Sequence, residues 1–446
     1  MSAIRSILKA HRRGEPVGIY SVCSSHELVL RAALRTALAH GTPLLVESTS
    51  NQVDQYGGYT GMTPADFRDY VQGLARELGF PVERLVLGGD HLGPNAWQGL
   101  PAAEAMARAR VLIHDYVTAG FHKIHLDCSM SCADDPARLD DATVAKRSAE
   151  LAAVAEAAAQ AAGLPTPVYV IGTEVPVPGG EASLSQALAV TSPAAAAQTL
   201  EVHRQAFASA GLRAAWQRVI AMVVQPGVDF DHSQVQHYDA AAAQALSAFV
   251  ASQPGLVFEA HSTDYQSEHS LAALVRDHYA ILKVGPALTF ALREALFALS
   301  AIEAELLPPA QCARLPEVLD QAMLAEPKHW RKHYAGSPEQ QRLLRRFAFS
   351  DRCRYYWGDP AVRAAQARLF DNLDNLDNLA MEGIPLPLLS QYLPTQFAAV
   401  LAGQLAARPQ ALVEHKISEV IASYSRACLP ETQEIESPDA ALLSAL

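Results

Sequence analysis

The side chains best suited to chemistry in this sequence stand at the ends of short apolar runs. One run closes on Glu47-Ser48-Thr49-Ser50-Asn51-Gln52, and the next on Gly88-Gly89-Asp90-His91-Leu92-Gly93-Pro94-Asn95. Further along come His125-Leu126-Asp127-Cys128-Ser129, Gly172-Thr173-Glu174 with Gly179-Gly180-Glu181, and Gln225-Pro226-Gly227-Val228-Asp229. The last two are Glu259-Ala260-His261-Ser262-Thr263-Asp264 and Lys283-Val284-Gly285-Pro286. Singly, each has a plain structural explanation: a lone histidine is commonly hydrogen-bonded packing, and a Gly-Gly pair is commonly a turn. Jointly they say more. His91, Glu174 and His261 are two imidazoles and a carboxylate, a donor set for a divalent metal such as Zn2+ with a position left open for water or substrate. The competing reading is an inward-facing polar network without metal. Asp90, Asp127 and Glu174 are the carboxylates expected to handle protons, with Glu181 a further one. Ser48, Asn51, Ser129, Gln225, Ser262, Lys283 and Gly285 are expected to contact substrate. Pro286 would be the first residue of a helix whose free N–H groups and dipole favour an anion beside Ser262 and Gly285.

These residues need elements to bring them together. The apolar runs lie at 17–23, 43–48, 84–88, 123–128, 168–173, 219–224, 255–260 and 280–284. They read as continuous, without in/out alternation, which marks a parallel sheet covered on its outer face by helices. Alanine- and leucine-rich helical segments alternate with them at 28–37, 64–79, 101–119, 141–162, 193–211, 238–252, 268–277 and 287–305. Strand and helix in alternation give the α/β class and the arithmetic of a (β/α)8 TIM barrel over residues 1–306. The alternative, a doubly wound open sheet, usually carries a glycine-rich loop after its first strand. Here the first run ends Val22-Cys23-Ser24-Ser25-His26. Residues 307–446 predict a helical C-terminal region, with helices near 316–325, 338–348, 360–371, 386–404 and 408–427, either a separate domain or a collar. The Asp-Asn-Leu repeat puts Leu373, Leu376 and Leu379 on one packing stripe. The N-terminal residues predict a short amphipathic helix with Ile4, Ile7 and Leu8 on one face.

Composition narrows the function. Of 446 residues 50% are hydrophobic and 18% charged, and the formal net charge is −12. The acidic balance argues against a nucleic-acid partner. No apolar run approaches the ~20 residues of a membrane span, so no membrane partner is expected. The N-terminus has no apolar signal region, and the cysteines form no CxxC pair, so a cytoplasmic chain with reduced thiols is expected. His11, His40, His114, His203, His278 and His415 fall on predicted helices or their ends and are expected at the surface. Lys328-His329-Trp330-Arg331-Lys332-His333 is a basic patch that suits a phosphate, a partner chain or a solvated helix face.

The chain resembles the Z-type subunit family of bacterial class II D-tagatose-1,6-bisphosphate aldolase, which includes tagatose 6-phosphate 4-epimerases. The stretches that carry the resemblance are GIYSVCSSH (18–26), PLLVESTSNQVDQYGGYTGMTPADF (43–67), LGGDHLGPNAWQ (87–98), AGFHKIHLDCSMSCADDP (119–136), IGTEVPVPGGE (171–181) and FEAHSTDYQ (258–266). The family is similar to zinc-dependent class II fructose-bisphosphate aldolases. The resemblance implies that His91 binds zinc and Asp90 handles the C4-hydroxyl proton, and that His261-Ser262 supplies a zinc histidine and a phosphate loop. Where those aldolases carry another zinc histidine, this chain has Gln225-Pro226-Gly227. The implied substrate is a sugar phosphate of galactitol and tagatose catabolism. The implied reaction is C4 epimerisation of D-tagatose 6-phosphate to D-fructose 6-phosphate; the alternative is a non-catalytic subunit that stabilises an aldolase catalytic chain. A homo-oligomer is expected. A kinase is disfavoured, because no GxxxxGK[ST] loop occurs.

Overall fold

β-branched and apolar residues dominate the strands, and burial on both faces explains why. The strands are β1 (Ile19–Val22), β2 (Leu44–Thr49), β3 (Leu85–Leu92), β4 (Lys123–Leu126), β5 (Val168–Ile171) and β6 (Val219–Val223). A two-residue hairpin follows, β7 (Asp229–Phe230) with β8 (Val235–Gln236), and then β9 (Val257–Ala260) and β10 (Tyr279–Val284). In this computed structural model, which describes residues 3–173, 188–376 and 383–429, eight parallel strands close into a barrel in the order β1-β10-β9-β6-β5-β4-β3-β2. The (β/α)8 expectation therefore holds. Among the described residues no helix is long and apolar enough to cross a membrane.

The lower barrel interior is apolar. Ile19, Leu45, Val86, Val170, Val223, Val257 and Ile281 pack there, and Ile4 and Leu8 of the helix Ala3–Arg12 pack into the same cluster. The sequence expectation for this amphipathic helix is met, and the helix plugs the barrel floor. Two of the histidines expected at the surface are buried instead. His11 bonds the Val17 carbonyl and His278, and His203 bonds the Thr199 carbonyl one turn back. Each lies on the inward stripe of its helix.

The residues after 306 form helices that pack on the barrel. The helix Pro409–Cys428 lies against the helices Glu27–Ala39, Glu268–Arg276 and Pro286–Leu306. Tyr424 donates to the Thr263 carbonyl at 2.6 Å, so this helix reaches the loop after β9. The described helices after residue 306 thus include one in direct contact with the barrel, as a collar would be. The single helix expected at 386–404 is two, Leu386–Tyr392 and Pro394–Leu401. Pro394 has no N–H to continue the first helix and disfavours helical geometry at Leu393, so it begins the second. Leu373 and Leu376 are buried as the stripe predicts, whereas Leu379 lies outside the described residues.

Gly88 shows how tightly the interior is fitted. A Cβ there would stand 2.3 Å from Glu47 Oε1 on the neighbouring strand. Gly88→Ala is therefore expected to cost about 1–3 kcal/mol through overpacking. Urea unfolding checks this, and an unchanged midpoint would show that Glu47 has room to move.

Candidate active site at the barrel mouth

Strand alternation sends every second side chain into the barrel. On β2 it turns Glu47 inward and Ser48 outward, where the Ser48 hydroxyl bonds Tyr116 Oη at 2.9 Å. On β4 it turns Lys123 and His125 inward, and on β9 and β10 Glu259 and Lys283. Glu47 Oε1 accepts from Lys123 Nζ at 2.6 Å, and Oε2 accepts from Ser21 Oγ at 2.7 Å and from Lys283 Nζ. Lys123 also pairs with Glu259 at 2.7 Å, and Lys283 with Asp90 at 3.1 Å. All five charged residues are at most 4% exposed. At that depth an unpaired charge is prohibitive, so each member requires the others.

Above this layer sit three imidazoles. The His91 and His261 rings are 4.9 Å apart by centroid, and His125 lies 5.2 Å from each. His125 Nδ1 bonds Asp90 Oδ1 at 3.0 Å, and His261 Nε2 bonds Glu259 Oε1 at 2.9 Å. His91 Nδ1 bonds Asp127 Oδ2 at 2.7 Å. Asp127 Oδ2 also accepts from Asn95 at 2.8 Å, and Oδ1 from the Ser129 hydroxyl at 2.6 Å. Asp127 is thus fully engaged in orienting His91, in the manner of carboxylates behind a ligating or catalytic imidazole.

Adjacent strand residues point to opposite faces, yet Asp90 and His91 both line the same cavity. The reason is a bulge. The β3–β4 register slips between Gly89 and Leu92, and His91 adopts a left-handed φ of 49°. One extra residue in the strand turns both side chains to the site. Ser262, just after β9, is likewise left-handed at 53°. Non-glycine residues held this way cluster at functional sites.

Electrostatics follow from the geometry. Burial opposes a charge on Asp90, but His91, Lys283 and the His125 bond override it and hold the carboxyl well below the usual range. Burial likewise opposes charge on Asp127, which the His91 bond and charge hold below the ordinary value. For His91 burial pulls the pKa down, but Asp90 and Asp127 prevail and raise it. Burial pulls His261 to about 4 against the Glu259 bond, so its imidazole is neutral near pH 7, the form that ligates.

A divalent metal fits this chemistry. Asp90, His125, Glu259 and His261 each offer a ligand atom within 4.8 Å of the others. His125 Nε2 is buried with no hydrogen-bond partner. Four carboxylates (Glu47, Asp90, Asp127, Glu259) stand against two ammoniums, an excess of negative charge that a bound cation or a protonated His91 would reduce. The donor set keeps His261 from the sequence reading and adds His125 and Glu259. His91 stands beside this set with its Nδ1 held by Asp127, while Glu174, with Gly179, Gly180 and Glu181, lies outside the described residues.

The cavity above holds about 100 Å³ and is lined by Asn51, Ser262, Lys283, Gly285 and Pro286 as expected, together with Cys23, Gln52, Tyr59, Arg354 and Tyr355. Three residues expected at the substrate are occupied elsewhere. Ser48 faces the helix layer, Ser129 holds Asp127, and Gln225 Oε1 accepts from the N–H groups of Gly227 and Val228 at 2.8 and 3.0 Å, closing its own turn. The expected anion site at the N-terminus of Pro286–Leu306 is also taken. Asp264 Oδ1 accepts from Gly285 N at 3.0 Å and Ala287 N at 2.8 Å, with burial pushing its pKa up to about 6.

Comparison with known proteins agrees with the fold. The family model described as D-tagatose-1,6-bisphosphate aldolase subunit GatZ/KbaZ-like matches residues 4–429. The crystal structure of a probable tagatose 6 phosphate kinase from Sinorhizobium meliloti 1021 is 49% identical, with a TM-score of 0.84, covering 92% of this chain and 100% of that chain. More distant is the YdjI aldolase from Escherichia coli K12, 11% identical with a TM-score of 0.41, over 83% of this chain and 97% of that chain. The fructose-bisphosphate aldolase Fba from Campylobacter jejuni is 12% identical with a TM-score of 0.44, over 85% of this chain and 95% of that chain.

The donor set makes a direct prediction. Protein incubated with Zn2+ and desalted is expected to retain one equivalent, and His125→Ala and His261→Ala are expected to lose it. Metal analysis by mass spectrometry checks this; full retention by both variants would remove the site.

Proposed function

We propose, since the chain belongs to the GatZ/KbaZ-like family of D-tagatose-1,6-bisphosphate aldolase subunits, that its barrel mouth is the active site of a metal-dependent ketose-phosphate enzyme. The reaction is C4 epimerisation of D-tagatose 6-phosphate to D-fructose 6-phosphate. The observation that carries this reading is the convergence of Asp90, His125, Glu259 and His261 on one buried point beside the cavity. Zinc is the metal the donor set suits best.

Tagatose and fructose differ only at C4. Cleavage of C3–C4, rotation of the aldehyde fragment and re-addition on its other face interconvert them; escape of that fragment would instead give aldol cleavage. Asp90, His125, Glu259 and His261 would hold a divalent cation, which would supply Lewis acidity at the ketose C2 oxygen. The chain's own groups do the rest. Asp90 lines the cavity, with its Oδ2 beside Lys283 Nζ, and takes the C4-hydroxyl proton. His91 Nε2 stands 3.7 Å from that oxygen, oriented by Asp127, and presents a second proton-carrying group to the same space.

The family description favours a second reading, a stabilising subunit that partners an aldolase catalytic chain. A purely structural subunit has no use for so costly a desolvated set of charges at an open cavity. The two readings separate when the zinc-loaded chain is incubated alone with tagatose 6-phosphate. Fructose 6-phosphate is the expected product. Triose products would mean aldolase, and no reaction with the chain alone would favour the accessory role.

Asp90 is tested separately. Asn is nearly isosteric and keeps a ligating oxygen but accepts no proton as a base, so Asp90→Asn is expected to lower kcat by about 10²–10⁴, with the fold and bound metal retained. Activity within a few-fold of the parent would reassign Asp90 to metal binding or structure alone.

A further inference from the structure

We propose that Arg354, carried to the barrel mouth by the C-terminal helical region, binds the substrate's phosphate, and that this single guanidinium fits the site to a ketose monophosphate. The ketose part rests on the function proposed above; the anion part stands on the geometry alone.

Two cationic side chains line the cavity, Lys283 and Arg354. The Lys283 charge is taken up by Glu47, Asp90 and Glu259. Arg354 is different. Its guanidinium donates to the Ser350 carbonyl, to the Asp351 carbonyl at 3.2 Å and to Tyr355 Oη at 3.0 Å. Among the described residues no carboxylate lies within ion-pair distance of it. Asp351 and Asp264 act on it only at longer range, so this partly buried guanidinium keeps room for an anion at contact distance. Its planar fork matches phosphate oxygens bidentately, and a phosphate would complete it.

The residue is also held in place. Asp351, left-handed at φ 44°, bonds Arg293 at 2.8 Å and Thr289 at 2.7 Å on the helix Pro286–Leu306, which fixes the turn Arg352–Tyr356 to the barrel. The Arg354 guanidinium lies 4.6 Å from the Tyr355 ring, and that ring packs on Tyr59 at 4.9 Å. A rigid cation at the cavity wall loses little entropy when it takes a ligand.

The other donors at the cavity are occupied. The N–H groups of Gly285 and Ala287 already serve Asp264. The residues outside the described ranges contain no lysine or arginine. One unmatched guanidinium therefore faces the cavity, which suits one phosphate; a bisphosphate needs a second.

Titration calorimetry on the zinc-loaded full chain tests this with inorganic phosphate, fructose 6-phosphate, fructose 1,6-bisphosphate and unphosphorylated fructose as probes. Arg354→Met is expected to weaken inorganic phosphate and fructose 6-phosphate by about 10- to 100-fold, as loss of a charged hydrogen-bonding partner does, and to leave fructose unchanged. Equal affinity of parent and variant for the phosphates would overturn the assignment, as would no phosphate binding by the parent. Because Arg354 also holds two carbonyls, Arg354→Lys provides a second measure: it keeps the charge, loses the fork and is expected to bind phosphate several-fold more weakly. Unchanged binding by that variant would equally overturn the fork's role. The parent is expected to bind the bisphosphate no more than a few-fold tighter than the monophosphate; a tenfold preference would overturn the monophosphate assignment. Arg354-dependent binding of inorganic phosphate without binding of any ketose phosphate would leave the anion site standing and remove the ketose reading instead.

Discussion

The structure depends on one buried constraint, the ion-pair network of Glu47, Lys123, Glu259, Lys283 and Asp90 inside the barrel. Each ion is almost wholly removed from water, and none could stay charged there alone. Lys123 bridges the two glutamates, and Lys283 bridges Glu47 to Asp90. Because the five come from β2, β3, β4, β9 and β10, the network also ties the barrel's circumference together at one height. Below it the interior is an ordinary apolar core closed by Ile4 and Leu8; above it stand the imidazoles. The charged layer is therefore a platform that fixes where the reactive groups begin. Its glutamates and lysines balance, which leaves the Asp90 and Asp127 charges to be met by a cation at the mouth or by protonation of His91.

Local departures from regular geometry then aim side chains off that platform. A regular β3 would have sent Asp90 and His91 to opposite faces. The bulge costs a ladder position and a left-handed histidine, and in return both groups reach one cavity. Gly88 belongs to the same device, since only a residue without Cβ leaves room for Glu47 Oε1. Function in this fold is written into the last residues of the strands, where ladder bonds end and the backbone is free to turn.

Most of the architecture was legible in the sequence. Eight continuous apolar runs alternating with alanine-rich helices specify a parallel barrel, and every barrel strand lies within a few residues of its predicted span. The site was legible at Asp90, His91 and His261, whose types interrupt the apolar texture at strand ends. Glu47, His125 and Glu259 were visible at strand ends but received no role, and Lys123, at the start of its run, was not singled out. The signal that could have found them is period two: Lys123, His125 and Asp127 fall on alternate positions, as do Glu259 and His261. The same period shows why Ser48, next to Glu47, faces the helix layer. Ser129 and Gln225 could not have been placed from sequence, because a short polar side chain that closes its own turn looks the same as one that meets a ligand. The break at Pro394 was a local rule outweighed by helical composition on either side.

The C-terminal region was the least legible part, because nothing in its sequence says which face meets the barrel. Its pattern announces helices and loops, and its basic patch at 328–333 suits a phosphate, a partner chain or a solvated face alike. In the structure the arginines divide by partner. Arg293 and Asp351 neutralise each other where the collar meets the last barrel helix, and Arg345 pairs with Asp320 within the collar. Arg354 bonds carbonyls and the Tyr355 hydroxyl, has no carboxylate at ion-pair distance among the described residues, and lines the cavity. Tyr424 meanwhile holds the carbonyl of Thr263, one residue beyond the left-handed Ser262. Both walls of the mouth after β9 and β10 are thus braced from the collar. A barrel of this kind ending near residue 306 would keep its charged platform and its imidazoles. It would lack the brace on the Ser262 loop and the one cationic side chain not already matched at the cavity, so the helices that follow the barrel belong to the site as much as the strands do.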